Sequence, residues 1–167
     1  MPNILSLLVR NHPGVLSHVA GLFTRRGYNI ESISAGETAN PSITRITLVV
    51  GGDETVIEQV SKQIRKLIDV VKVQELSYEG SITRELLLLA IYVSSNKREE
   101  VISIANTFGA TVVDISEKTM TLEISGNNLK INTIIRALGN YKIKELARTG
   151  LVALPLESML DQQKKAL

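Results

Sequence analysis

The sequence predicts an α+β chain of 167 residues built from two consecutive βαββαβ units. Three observations lead there. Short apolar runs with strand character alternate with segments whose apolar residues recur at helical spacing. The order strand, helix, strand, strand, helix, strand is complete by Leu76. The same order then begins again near Leu86, so the period of about 80 residues marks a duplicated domain rather than a solenoid. Each unit is the split βαβ, or ferredoxin-like, arrangement. The two domains are expected at residues 1–77 and 84–167, with the polar stretch Ser77 to Thr83, containing Gly80, between them.

In the first unit, Ile4 to Val9 reads as a strand bounded by Asn11-His12-Pro13-Gly14. Val15, Leu16, Val19, Ala20, Leu22 and Phe23 then follow a helical spacing that stops at Arg25-Arg26-Gly27. Basic residues in a last turn and a glycine just beyond it suit the negative end of the dipole and a left-handed cap. Strands are expected from Tyr28 to about Gly36 and from Ile43 to Val50, around a turn at Thr38-Ala39-Asn40-Pro41. Asp53 is placed to cap a second helix. That helix carries Val56, Ile57, Val60, Ile64, Leu67 and Ile68 as one stripe, with Glu58 and Lys62 paired on another face. Val70 to Leu76 closes the unit.

The second unit opens with an apolar strand from Leu86 to Val93. Asn96 with Glu99 resembles a capping box before a stripe of Val101, Ile102, Ala105 and Phe108 that ends at Gly109. Ala110 to Ile115 and Lys118 to Ser125 read as a hairpin. Leu129, Ile131, Ile134, Ile135 and Leu138 suggest a helix ending at Gly139-Asn140, and Tyr141 to Leu154 reads as one closing strand.

Composition narrows the function. The chain has no cysteine, which excludes disulfides, thiolate catalysis and Cys-ligated zinc. Its charge is spread evenly: residues 1–80 carry 8 basic and 8 acidic side chains, and the remainder 11 and 9. With no basic patch and no strand aromatics to stack bases, nucleic acid is not an expected partner. No stretch approaches the ~20 apolar residues of a membrane span, and a soluble, cytoplasmic protein is expected.

No catalytic constellation is legible. His12 and His18, six residues apart, lack the i, i+4 spacing of a helical metal pair. His12 is read as a turn residue and His18 as solvated, opposite the apolar stripe. Glu31, Glu54, Glu58, Glu99 and Glu100 are read as solvated surface rather than an acid/base pair. The informative segment is Asn11-His12-Pro13-Gly14-Val15-Leu16, which joins a strand to the start of an apolar-faced helix. Unpaired N–H groups and the positive dipole end suit a carboxylate there. Gly14 permits close approach to the backbone, Asn11 offers a donor and an acceptor, and Val15 and Leu16 suit an aliphatic side chain. By spacing alone, an ordinary β-to-α turn with Asn11 satisfying backbone groups is the favoured account.

Longer runs shift that balance. Leu5-Ser6-Leu7-Leu8-Val9, Asn11-x-x-Gly14-Val15-Leu16, Gly21-Leu22-Phe23 and Arg26-Gly27-Tyr28-Asn29-Ile30-Glu31-Ser32 together resemble the N-terminal ACT domain of acetolactate synthase small subunits. Gly52-Asp53-Glu54, Lys66-Leu67-Ile68-Asp69-Val70, Arg84-Glu85-Leu86 and Ala147-Arg148-Thr149-Gly150 extend the resemblance over nearly the whole chain. It implies a non-catalytic regulatory subunit in branched-chain amino acid biosynthesis. Such a subunit activates a separate large subunit and mediates feedback inhibition by valine, leucine or isoleucine, commonly valine. It implies no cofactor in this chain, with thiamine diphosphate, Mg and FAD in the large subunit. Carried over by position, the effector site takes Asn11, Gly14, Val15 and Leu16 from one chain and Asn29 and Ile30 from a second copy, in a homodimer formed through the first domain. The rival from another class is a free-standing amino-acid-sensing protein controlling transcription or a different enzyme. An acylphosphatase-like enzyme is disfavoured, since no Arg stands at the Asn11–Gly14 turn to hold phosphate.

Overall fold

The computed structural model describes residues 3–157. They group into two compact units, one of residues 3–82 together with 151–157, the other Thr83–Gly150.

The first unit runs β1 (Asn3–Arg10), α1 (Val15–Arg26), β2 (Ile30–Glu37), β3 (Ile43–Val50), α2 (Glu54–Ile64) and β4 (Val70–Leu76). Its sheet is antiparallel in the order β2-β3-β1-β4, so β2 and β4 are edges. Strand alternation sends Leu5, Leu7, Val9, Ile46, Leu48 and Val50 to the helix side. There they pack with Val15, Val19, Leu22 and Phe23 of α1 and Ile57, Val60 and Ile64 of α2. Gly27, at φ +69, ends α1; its N–H bonds Thr24 and that of Tyr28 bonds Phe23, a Schellman closure. Asp53 caps α2 by accepting from the Val56 N–H at 2.9 Å. On the opposite face of this sheet, Ile4 and Val49 lie side by side and are covered by Leu151 and Ala153. The covering segment is tied down by the Leu151 N–H to Ser32 Oγ (3.0 Å) and the Leu156 N–H to the Gly80 carbonyl (2.9 Å).

One expectation for this unit is corrected. Ile68 does not join the α2 stripe. The helix ends at Ile64, and Lys66, Leu67 and Val70 each donate three residues back, which turns Ile68 outward. The same tightening turns Asp69 inward.

The second unit comprises β5 (Ser81–Tyr92), α3 (Arg98–Thr107), β6 (Thr111–Ile115), β7 (Thr119–Gly126), α4 (Asn128–Ala137) and β8 (Ile143–Arg148), and β9 (Val152–Pro155) follows it. The sheet order β6-β7-β5-β8 repeats that of the first unit. Leu87, Leu89, Ile91, Met120, Leu122 and Ile124 form its core with Val101, Ala105, Ile131 and Ile134.

Here β5 starts five residues earlier than the apolar run suggested. Its buried positions Ser81, Thr83 and Glu85 alternate with Ile82 and Arg84, so the period of two is carried by polar residues. The capping box at Asn96 is not made: Ser95–Lys97 is a 3-10 turn, and Asn96 Oδ1 accepts from the Ser94 hydroxyl instead. Leu129 lies off the buried face of α4, and Asn127 caps that helix. The expected single strand from Tyr141 to Leu154 is two, because Gly150 adopts φ +82 and breaks it.

Among the described residues no helix is long and apolar enough to cross a membrane.

Candidate effector site

Strand β1 ends at Arg10, and residues 11–14 lead directly into α1. Gly14 is its N-cap at φ +93, a left-handed conformation open to glycine and strained for other residues. A Cβ there would meet nothing within 4 Å, so the space above the helix start is open. No side chain caps this helix and no acidic residue lies in its first turn. The first turn therefore presents backbone N–H groups with no intrahelical acceptor, at the positive end of the dipole.

The residues singled out from the sequence are placed unequally around this opening. Asn11 donates its amide to the Pro41 carbonyl (2.9 Å) and to Glu37 Oε1 (3.2 Å), while its backbone N–H bonds Ser42 (2.8 Å). Both amide hydrogens are thus committed to the β2–β3 hairpin, which fixes the β1–α1 loop against the end of β2. Val15 is only 4% exposed and belongs to the core. Leu16, at 48% exposed, is the apolar side chain that stands free beside Gly14. Asn29 and Ile30 lie at the far end of the 12-residue α1, ~18 Å away by helical rise. Within one chain the two groups do not meet.

The helix side of β2 is incompletely covered. Ile33 and Ala35 lie opposite the core residues Leu48 and Ile46 but stay exposed, because β2 is the outermost strand. Its free N–H and C=O groups and these apolar side chains form an edge able to pair with another strand.

The histidines are where sequence reasoning fell short. Neither is a solitary polar residue: His12 Nε2 lies 2.8 Å from Asp69 Oδ1 and His18 Nδ1 3.3 Å from Asp69 Oδ2. Asp69 is 7% exposed. No local signal in the sequence pairs these residues, because 57 and 51 positions separate Asp69 from the two histidines. Asp69 is held below the usual carboxylate range, first by the His12 hydrogen bond. Among the described residues no group of three or more His, Asp or Glu side chains is arranged to hold a metal ion.

Two βαββαβ units with an open helix start in the first define an ACT-domain protein. A model of the AHAS small subunit-like ACT domain matches residues 5–72, and a model of the small subunit of acetolactate synthase matches residues 84–157. The acetolactate synthase small subunit of Aquifex aeolicus is 45% identical over 163 residues, covering 97% of this chain and 85% of that protein. That of Mycobacterium bovis is 43% identical over 150 residues, covering 90% and 89%. The crystal structure of the acetolactate synthase small subunit from Thermotoga maritima superposes with a TM-score of 0.87 at 36% identity, covering 93% of this chain and 98% of that one. The chain belongs to the acetolactate synthase small-subunit family.

Two of the runs that carry the resemblance meet in the second unit. In the second unit Glu85 is 5% exposed and forms a two-pronged ion pair with Arg148, Nε to Oε2 at 3.0 Å and Nη2 to Oε1. Beside it, Leu86 and Thr149 exchange two hydrogen bonds of 3.1 Å. Arg84-Glu85-Leu86 and Ala147-Arg148-Thr149-Gly150 are therefore two sides of one clasp between β5 and β8.

Proposed function

We propose that this protein raises the activity of an acetolactate synthase large subunit and makes it subject to feedback inhibition by a branched-chain amino acid, foremost valine. The effector binds between two copies of the first unit. Its carboxylate takes the N–H groups at the start of α1, and Leu16 meets its aliphatic side chain. Asn11 and Glu37 lie on the ammonium side, where the Asn11 side-chain oxygen accepts no hydrogen bond among the described residues. Thiamine diphosphate, Mg and FAD belong to the large subunit.

The observation that carries the reading is the bond from Asn11 to Glu37, the last residue of edge strand β2. If β2 pairs antiparallel with its symmetry mate over its full length, Ile30 of one copy falls opposite Glu37 of the other. Asn29 and Ile30 then arrive beside Asn11 of the second copy, and two equivalent sites form in each dimer. This pairing also covers Ile33 and Ala35.

Reconstitution tests the function. The isolated chain is expected to make no acetolactate, while its addition raises turnover by the large subunit and renders it sensitive to valine. Acetolactate formation by the small subunit free of large subunit, or an unchanged large subunit on mixing, overturns it. Complementation tests the shared site. A chain carrying Asn11→Ala and one carrying Asn29→Ala bind no effector as separate homodimers. Mixed dimers recover one site of the two, because both defects can fall in the same pocket. Verified heterodimers that bind nothing place the site within a single chain.

A further inference from the structure

His12 occupies the middle of the effector loop, and its two ring nitrogens have different acceptors. Nδ1 lies 3.0 Å from the Pro13 carbonyl, which can only accept. Nε2 lies 2.8 Å from Asp69, whose depressed titration keeps it an ionised, acceptor-only carboxylate. A neutral imidazole has one N–H and cannot satisfy both; only the imidazolium donates twice. The arrangement also bridges distant elements, tying Pro13, adjacent to the Gly14 N-cap, to the turn that follows α2.

We propose that His12 is the positioning residue of the effector loop, holding the start of α1 in its ligand-accepting form only while its ring carries the second proton. This rests on the effector reading above and adds to it a dependence on proton concentration. When the ring loses a proton, one of the two hydrogen bonds must go, and the Pro13–Gly14 peptide loses a tether. The loop is then free to leave the conformation that presents its N–H groups, and binding must rebuild it.

The groups facing His12 set the sign. The hydrogen bond to Pro13 and then that to Asp69 raise its pKa above the ordinary histidine value, against partial desolvation and, more weakly, the charge of Arg10 on β1. His18 of α1 shares the carboxylate through its other oxygen. A raised histidine contributes stability that is fully present below its unfolded-state pKa and lost as pH rises through the folded value. Asp69, being depressed, loses its contribution only as pH falls through the acidic range. The window of interest therefore opens near the ordinary histidine value of about 6.5 and extends upward from it. Linkage is reciprocal, so bound effector must raise the His12 pKa further.

Calorimetric titration of the full-length dimer with valine, leucine and isoleucine is the test, paired with NMR titration of the His12 ring nitrogens. Affinity is expected to fall by about threefold to tenfold across the window. His12→Gln, which keeps a donor toward Asp69 but cannot titrate, is expected to flatten that profile, as is Asp69→Asn. In the wild-type protein, NMR is expected to show both ring nitrogens protonated at the acid end. The midpoint should move upward when effector is added. A flat wild-type profile, or a His12→Gln profile as steep as wild type, overturns the proposal. A neutral ring at the acid end overturns it without reference to any effector. Two protonated ring nitrogens with no heat from any of the three amino acids overturn the effector reading, and with it the coupling.

Discussion

Replacing Gly14 with aspartate is expected to weaken the proposed valine response of the reconstituted enzyme by about a hundredfold or more while the proposed activation of the large subunit persists. Three effects act together. The residue stands at φ +93, where a side chain costs about 1–2 kcal/mol of backbone strain. Nothing within 4 Å blocks the new Cβ, so the substitution deforms the loop without disturbing the core. The carboxylate is then placed over the helix start, occupying the N–H groups intended for the effector and repelling its charge. Two charge-assisted hydrogen bonds, at about 1.5–3 kcal/mol each, are lost. The half-inhibitory valine concentration therefore rises by about a hundredfold or more. Gly14→Ala separates the terms, since it keeps the strain and adds no charge; its shift is expected to be much smaller. An Asp variant with a normal inhibition curve removes this loop from the effector site.

The second large effect is on the stability of the second unit. Arg148→Ala leaves the Glu85 carboxylate, 5% exposed, without its two charged donors. Arg148 is itself 31% exposed, so water partly replaces the lost donors, and the cost is about 1.5–3 kcal/mol rather than that of a fully buried pair. Denaturation in urea, followed by amide exchange within Thr83–Gly150, is expected to report a loss of that size. The double change Glu85→Met with Arg148→Leu should recover much of it, since an apolar pair of similar volume carries no desolvation penalty. If the single variant is as stable as wild type, the clasp is a surface contact and nothing more.

How far the sequence reveals this molecule depends on which signal each element uses. Val70 to Leu76 and the boundaries of α1 were legible because apolar spacing, basic last turn and glycine cap all agree there. Beta-5 escaped in part because its inward positions are Ser81, Thr83 and Glu85. Hydropathy reads such a stretch as a loop, and only the later partnership of Glu85 with Arg148 makes its burial tolerable. The same limit applies at the effector loop. The glycine and the helix start could be located from local spacing, and the edge position of β2 follows from topology. Contacts that join residues far apart in the chain could not: Asn11 to Glu37 spans 26 positions and His12 to Asp69 spans 57. A histidine in a turn and an aspartate at the end of a helical stripe each have an ordinary solvated reading when taken singly.

The covering of Ile4 and Val49 by Leu151 and Ala153 has a consequence for how the protein is made. A ribosome delivers the chain from its N-terminus, and domains generally fold as they emerge. Here the first unit has its strands and helices early but must wait, with Ile4 and Val49 uncovered, until the second has been synthesised. The interval exposes a patch on a half-built sheet, the kind of surface on which nascent chains stick to one another or engage chaperones. A ribosome stalled just before Leu151 should therefore hold a first unit that is more readily cut by protease than one stalled far enough downstream to release residues 151–157. Residues 151–157 thus join the first unit only after the whole of the second has been made.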